Sequence, residues 1–162
     1  ADYMQWPSFA WTLLFVAMFL GGSTGSTAGG IKIARHVLLL RNIQRTFRQL
    51  INPNAVLPMR LNNNSINESD NNSILSFIAV YILVFMAGSL LMMLMGVEAR
   101  ESASSVATCM AGIGPGLGSV GPVGNFAQVP AMGKILLSFL MLVGRLEIFT
   151  VLMLFTKTFW KK

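Results

Sequence analysis

Residues 111 to 118 read Ala111-Gly112-Ile113-Gly114-Pro115-Gly116-Leu117-Gly118, a run of glycine broken by apolar residues and one proline. Neither a helix nor a regular strand favours that composition. Just ahead lies Ser102 to Met110, nine small and mildly apolar residues with Glu101 at their start. At about 1.5 Å per residue, a helix there is too short to cross a hydrocarbon core of roughly 30 Å. Full apolar runs flank the pair: Ile74 to Met95, closed by Gly96, and Ala131 to Phe155. A short helix that enters a membrane and returns through extended, glycine-rich backbone is a re-entrant loop, and protein must surround it because lipid cannot hydrogen-bond to it.

The order span, short helix, extended segment, span is the plan of a potassium-channel subunit. In such filters backbone carbonyls replace the hydration shell of the ion, so residues are chosen for their backbone rather than for side-chain chemistry. Composition agrees with a membrane setting. Hydrophobic residues make up 54% of the 162 and charged residues only 11%, with a mean hydropathy of +0.63. The single Cys109 excludes an intramolecular disulfide framework and matches no metal-ligand spacing.

The net charge of +6 raises the question of nucleic acid, and its distribution answers it. Lys32, Arg35, Arg41, Arg45, Arg48 and Arg60 follow the first apolar stretch, and Lys157, Lys161 and Lys162 follow the last. Basic residues flanking spans mark the cytoplasmic side. Phe47 is the one aromatic among the first cluster, whereas RNA recognition wants aromatics interleaved with charge. No nucleic-acid partner is expected, and the C-terminus is predicted to be cytoplasmic.

A second anomaly lies upstream. Gly21 to Gly30 reads Gly-Gly-Ser-Thr-Gly-Ser-Thr-Ala-Gly-Gly and follows the apolar stretch Ser8 to Leu20, which carries Trp11 inside it and Trp6 just ahead. Thirteen residues cover only about 20 Å as a helix, a half-length span. The small-residue run is predicted to complete the crossing as non-helical backbone, with Ile31 to Leu50 resuming as a helix. A phosphate-binding loop is excluded by register, since Ile31 separates Gly30 from Lys32 and Ile33 stands where Ser or Thr is needed. A helical packing face remains as an alternative, because Gly21, Gly25 and Gly29 recur every four residues. Against it, five glycines in ten residues would each cost a helix about 1 kcal/mol relative to Ala. Between Asn52 and Asn72, Pro53, Pro58 and eight Asn read as a cytoplasmic loop in which Glu68 and Asp70 are solvated.

Three motifs in this order carry a family resemblance: Gly21 to Lys32 (GGSTGSTAGGIK), Gly112 to Gly118 (GIGPGLG) and Gly144 to Phe155 (GRLEIFTVLMLF). The chain resembles the C-terminal third of TrkH-type subunits of the Trk/Ktr potassium uptake superfamily. That resemblance implies an all-α membrane protein and a fragment of a four-repeat, pseudo-tetrameric pore. Residues 1–51 would be the last, broken span of the third repeat with an intramembrane loop at 21–30, and 52–72 the cytoplasmic loop. Residues 73–162 would be the fourth repeat: span 73–96, pore helix 102–110, filter 111–118 and span 131–156. Ala111, Gly112, Ile113 and Gly114 would bind potassium, with Gly112 standing where the family usually has Asn and so lacking a side chain that could brace the strand. Gly22, Ser23, Thr24, Gly25, Ser26, Thr27, Ala28 and Gly29 would form a gate below the filter, and Arg145 would point into the pore beside it.

A charge that deep costs about 2.5 to 3.5 kcal/mol even on the mild insertion scale. Glu147 is two residues away and points elsewhere on a helix, so Arg145 needs another partner, which a loop rich in carbonyls and hydroxyls would offer. The resemblance further implies potassium uptake in the bacterial inner membrane with symport as one coupling mode, no cofactor beyond the transported ion, a homodimer of complete subunits, and a cytosolic nucleotide-binding regulatory subunit of the TrkA type. No nucleophile with an adjacent base and no carboxylate pair is found, so no enzyme activity is expected. Sodium or ammonium transport on the same architecture, and a non-conducting structural subunit, are the alternatives. His36 reads as an interfacial residue.

Overall fold

A computed structural model describes residues 2–53, 60–61, 64–65, 67–146 and 148–155. Glu147, Pro58 and the terminal Lys157, Lys161 and Lys162 lie outside the described residues. Six α-helices follow in order: α1 (Ser8–Ala17), α2 (Ile33–Ile51), α3 (Glu68–Leu94), α4 (Ala99–Ala111), α5 (Ala131–Arg145) and α6 (Ile148–Phe155). Among the described residues, the departure from helix and loop is a small antiparallel pair in which Arg60–Leu61 (β1) faces Asn64–Ser65 (β2). Among the described residues one helix, α3, is long and apolar enough to cross a membrane.

The short helix α4 is the centre of the packing. From Ser104 to Ala111 every residue is buried, and its principal neighbours are α3 and α5. Small residues make this possible by letting backbones approach. Gly88 of α3 has room for no more than itself, since a β-carbon there would come within 3.2 Å of both Leu140 and Val106. Gly133 of α5 packs the same way on Val129 and Met92. Met92, Val106, Met110, Leu137, Leu140 and Val143 fill the space between the three helices. An aromatic cluster of Phe15, Phe19, Phe77, Tyr81, Phe85 and Phe149 joins α1, α3 and α6 to it.

Several boundaries differ from the sequence expectation. The span expected over 131–156 is two helices, α5 ending at Arg145 and α6 starting at Ile148, with Leu146 leaving the helical path after donating its N–H to Leu142. Helix α3 begins at Glu68 rather than near 73, because Asn67, Glu68 and Asp70 form a favourable helix start: the two carboxylates sit in the first turn. Glu68 is therefore not a loop charge; it pairs with Arg45 of α2 at 3.1 Å, an exposed contact that adds little stability. Helix α1 stops at Ala17, three residues short of Leu20, and α4 gains three residues at its start and one at its end, so that Ala111, expected in the extended filter strand, is helical and the chain leaves the helix at Gly112.

One of the tightest approaches of the fold is between α5 and the end of α4. A β-carbon on Gly144 would lie 2.0 Å from the Met110 carbonyl oxygen, so any side chain there must push backbone away. Gly144→Val in the full-length protein is expected to cost about 2 kcal/mol or more. A clear fall in Tm, followed by tryptophan fluorescence in detergent, is the expected result, and an unchanged Tm would show that the two helices separate freely.

Candidate functional site

The return segment after α4 is built from the helix outward. Gly112 closes α4 at φ +69°, with its N–H on the Cys109 carbonyl and the Ile113 N–H on the Thr108 carbonyl, the paired bonds of a Schellman motif. The left-handed conformation suits Gly and, next best, Asn, so the resemblance-derived Asn and the Gly found here satisfy one backbone requirement. Beyond it, one face of α4 serves the returning chain. The Thr108 hydroxyl donates to the Pro115 carbonyl at 3.1 Å. Ser104 accepts from the Leu117 N–H at 3.0 Å and lies 3.3 Å from the Leu117 carbonyl. A carboxylate oxygen of Glu101 accepts the Ser119 N–H at 2.7 Å.

Glu101, Ser104 and Thr108 are spaced three and four apart, one face of a helix. The sequence reading left Ser104 and Thr108 without a role and placed Glu101 only at the start of the short helix. The signal was available as a polar stripe at helical spacing inside an otherwise apolar or small-residue segment. Tyr3, from the turn Tyr3–Gln5 ahead of α1, was also missed; its hydroxyl donates to the Gly116 carbonyl at 2.5 Å. No sequence periodicity links positions 113 residues apart.

These contacts divide the segment. The carbonyls of Pro115, Gly116, Leu117 and Gly118 all accept hydrogen bonds. Among the described residues, none reaches the carbonyls of Ala111, Gly112, Ile113 or Gly114. A cavity of about 420 Å³ opens against this unoccupied half, lined by Gly112, Ile113 and Gly114, by Thr108 to Met110, by Met141 and Leu142, and by Gly29 and Arg145.

Gly29 and Arg145 bring the upstream run to the same place. Residues 18–32 are a loop between α1 and α2, which removes the helical packing-face alternative for Gly21, Gly25 and Gly29. The loop is pinched at its neck, where the Gly21 N–H donates to the Ile31 carbonyl at 2.9 Å and the Ile33 N–H to the Gly22 carbonyl at 3.1 Å. Inside it the Ser26 N–H donates to Ser23, and the Ala28 N–H to the Ser26 hydroxyl. A β-carbon on Gly29 would sit 2.8 Å from the Ala111 carbonyl oxygen, so the loop rests directly on the end of α4. The guanidinium of Arg145 donates to the Thr27 carbonyl. Thus Gly112 to Gly114, Gly29 and Arg145 meet around one cavity, while Ala111 and, of the predicted gate, Gly22 to Ala28 do not line it.

Behind the loop a second cavity, about 70 Å³, is lined by Ser26, Thr27, Lys32, Arg35, Tyr81 and Arg145 among others. Arg145 borders both. The Arg35 guanidinium also lies 3.7 Å over the Phe77 ring, and Arg100 covers Trp11. No cluster of metal-ligating side chains occurs among the described residues. His36 turns its ring toward the Lys32 carbonyl and away from this group.

Apolar helices folded around polar, glycine-rich backbone, with a cation held against that backbone, are the construction of a helical membrane transport protein. The profile of the TrkH family, described as a cation transport protein, matches residues 1–162, and the chain belongs to that family. It is 39% identical over 98% of its length to the Trk system potassium uptake protein TrkH of Salmonella typhimurium, covering 32% of that protein. It is 37% identical over its whole length to TrkH of Halomonas elongata, covering 33%. The fold is that of the crystal structure of the potassium transporter TrkH from Vibrio parahaemolyticus, with a TM-score of 0.91, 35% identity, and coverage of 99% of this chain and 34% of that one. The chain therefore spans about a third of the length of these relatives, which are transporters and not enzymes.

The anchored half of the return segment gives a direct test. Gly118 has φ +77°, and a β-carbon there would lie 2.7 Å from the Glu101 carboxylate. Gly118→Ala is expected to destabilise by about 1 to 2 kcal/mol from the left-handed backbone alone. Denaturant or thermal unfolding of the full-length variant measures the loss, and a neutral result would mean that this end of the segment is not held as described.

Proposed function

We propose that this chain is the C-terminal part of a channel-like subunit that takes up potassium across the bacterial inner membrane. The observation that carries the reading is the row of carbonyls from Ala111 to Gly114 that accept no protein hydrogen bond among the described residues, beside a cavity lined by Gly112, Ile113 and Gly114 and by Gly29 and Arg145. Carbonyl oxygens without protein donors are the ligands that replace water around potassium. The C-terminal end of α4 points its partial negative charge at the same cavity, which favours a cation there. The relatives are named as potassium uptake proteins.

In this reading α4 is the pore helix, and the last helical carbonyl, of Ala111, together with Gly112 to Gly114 forms the filter, with Gly112 and Ile113 central to the ion sites, and Gly22 to Gly29 the gate. Arg145 raises an electrostatic barrier for potassium below the filter. Its hydrogen bond to Thr27 couples that barrier to the loop, so displacement of either opens the path. The complete subunit would supply three further repeats around the pore, act as a homodimer, and keep its C-terminus in the cytoplasm. Arg41, Arg45 and Arg48 recur along one side of α2 and would meet a cytosolic nucleotide-binding regulatory subunit of the TrkA type.

The test is flux through the full-length protein in a bacterial host lacking its own potassium uptake. Growth at low potassium and rubidium influx are expected, and competition that favours ammonium or sodium over potassium, or no flux at all, would overturn the assignment. With the same assay, Arg145→Ala should raise flux several-fold at matched abundance. An unchanged flux would remove Arg145 from the gate while leaving the filter in place.

A further inference from the structure

The anchored half of the return segment is held by two kinds of clamp. Thr108 and Ser104 hold the Pro115 and Leu117 carbonyls, and both belong to α4, the helix from which the segment itself emerges. They move with it and set only its local shape. The Gly116 carbonyl between them is held from elsewhere, by the hydroxyl of Tyr3 at 2.5 Å. Tyr3 stands ahead of α1, on the far side of α1, the loop, α2 and α3 in sequence. The bond therefore fixes the return segment relative to a separate part of the fold.

The seat around Gly116 is close. Its N–H donates to the Val120 carbonyl at 2.8 Å, and a β-carbon on it would come within 2.8 Å of the Val120 side chain and 3.3 Å of the Ser104 hydroxyl. A side chain at 116 would therefore have to displace Val120, and the glycine lets the segment sit this close. Tyr3 is partly buried, and burial together with the charge of Asp2 pushes its phenol pKa above the ordinary value. The hydroxyl therefore remains a donor throughout the physiological range.

We infer that Tyr3 is a specificity-determining residue: by holding the Gly116 carbonyl from outside α4 it fixes the return segment, and with it the spacing of the carbonyls from Ala111 to Gly114, against the rest of the pore. The inference rests on the proposed role of Ala111 to Gly114 as the ion path. Discrimination between potassium and the smaller sodium ion requires carbonyls that do not close in around the smaller ion. Releasing the Gly116 carbonyl loosens the strand that carries the others and lets them do so. Tyr3 touches no ion; it acts through the backbone it holds.

Tyr3→Phe removes one oxygen and keeps the ring. In the full-length protein, rubidium influx should persist, while the sodium concentration that halves it should fall several-fold, with abundance and Tm close to the parent. That ratio does not depend on how many transporters reach the membrane, so reduced expression leaves it readable. Tyr3→Leu should shift it in the same direction and further. A parental sodium sensitivity in both variants, or a loss of abundance or Tm with the ratio unmoved, would reduce Tyr3 to a packing residue and overturn the inference, leaving potassium transport untouched. A parent that carries no potassium or rubidium would overturn the transport reading and this inference together.

Discussion

Everything at the centre of this chain depends on one constraint: backbone that leaves helical geometry inside an apolar setting must find its hydrogen bonds within the protein. The polar stripe of α4 supplies them. Glu101, Ser104 and Thr108 reach across to Ser119, Leu117 and Pro115, so a segment too rich in glycine to form its own secondary structure is held by side chains of the helix before it. Such side-chain-to-backbone bonds are individually modest, about 1 kcal/mol net, but leaving a buried peptide group unpaired costs more. The stripe thus makes the return segment possible rather than merely stable.

The same constraint explains the loop of residues 18–32. Its neck bonds, Gly21 to Ile31 and Ile33 to Gly22, satisfy the chain where α1 stops and α2 begins. Its small residues allow it to lie against the end of α4, where Gly29 meets the Ala111 carbonyl and Gly144 of α5 meets that of Met110. Two independent glycines therefore crowd the last carbonyls of α4 from different sides. The guanidinium of Arg145, one residue after Gly144, is delivered to Thr27 by that same close approach of α5. A bulkier residue at 144 would displace both the helix and the charge it carries.

Much of this plan was legible in sequence because composition is coarse and robust. A nine-residue segment between two long apolar runs, followed by glycine and proline, can hardly be anything but a short helix with a non-helical return. Likewise the glycines of 21–30 argue against helix by propensity alone. The missed features are those that depend on pairing across distance. The Tyr3 bond to Gly116 and the Arg45 pair with Glu68 have no local signature. The break between α5 and α6 was missed because the apolar run continues on both sides of it, and Gly144, a weak local signal of an interruption, was not weighed.

Glycine richness turns out to be several signals rather than one. Gly112 and Gly118 are needed for their left-handed backbone, the one closing α4 and the other turning the chain beneath Glu101. Gly29, Gly88 and Gly144 are needed because another backbone or a core side chain stands where a β-carbon would go. Gly25 meets neither demand, since nothing lies within 4 Å of a β-carbon placed there. It lies instead in the turn that the Ser26 N–H closes onto the Ser23 carbonyl, a place where small residues are favoured whatever surrounds them. The loop thereby combines a bonded neck, a bonded turn and, through Gly29, a close approach to the end of α4, so that its backbone polar groups are met within the protein at both ends and between them.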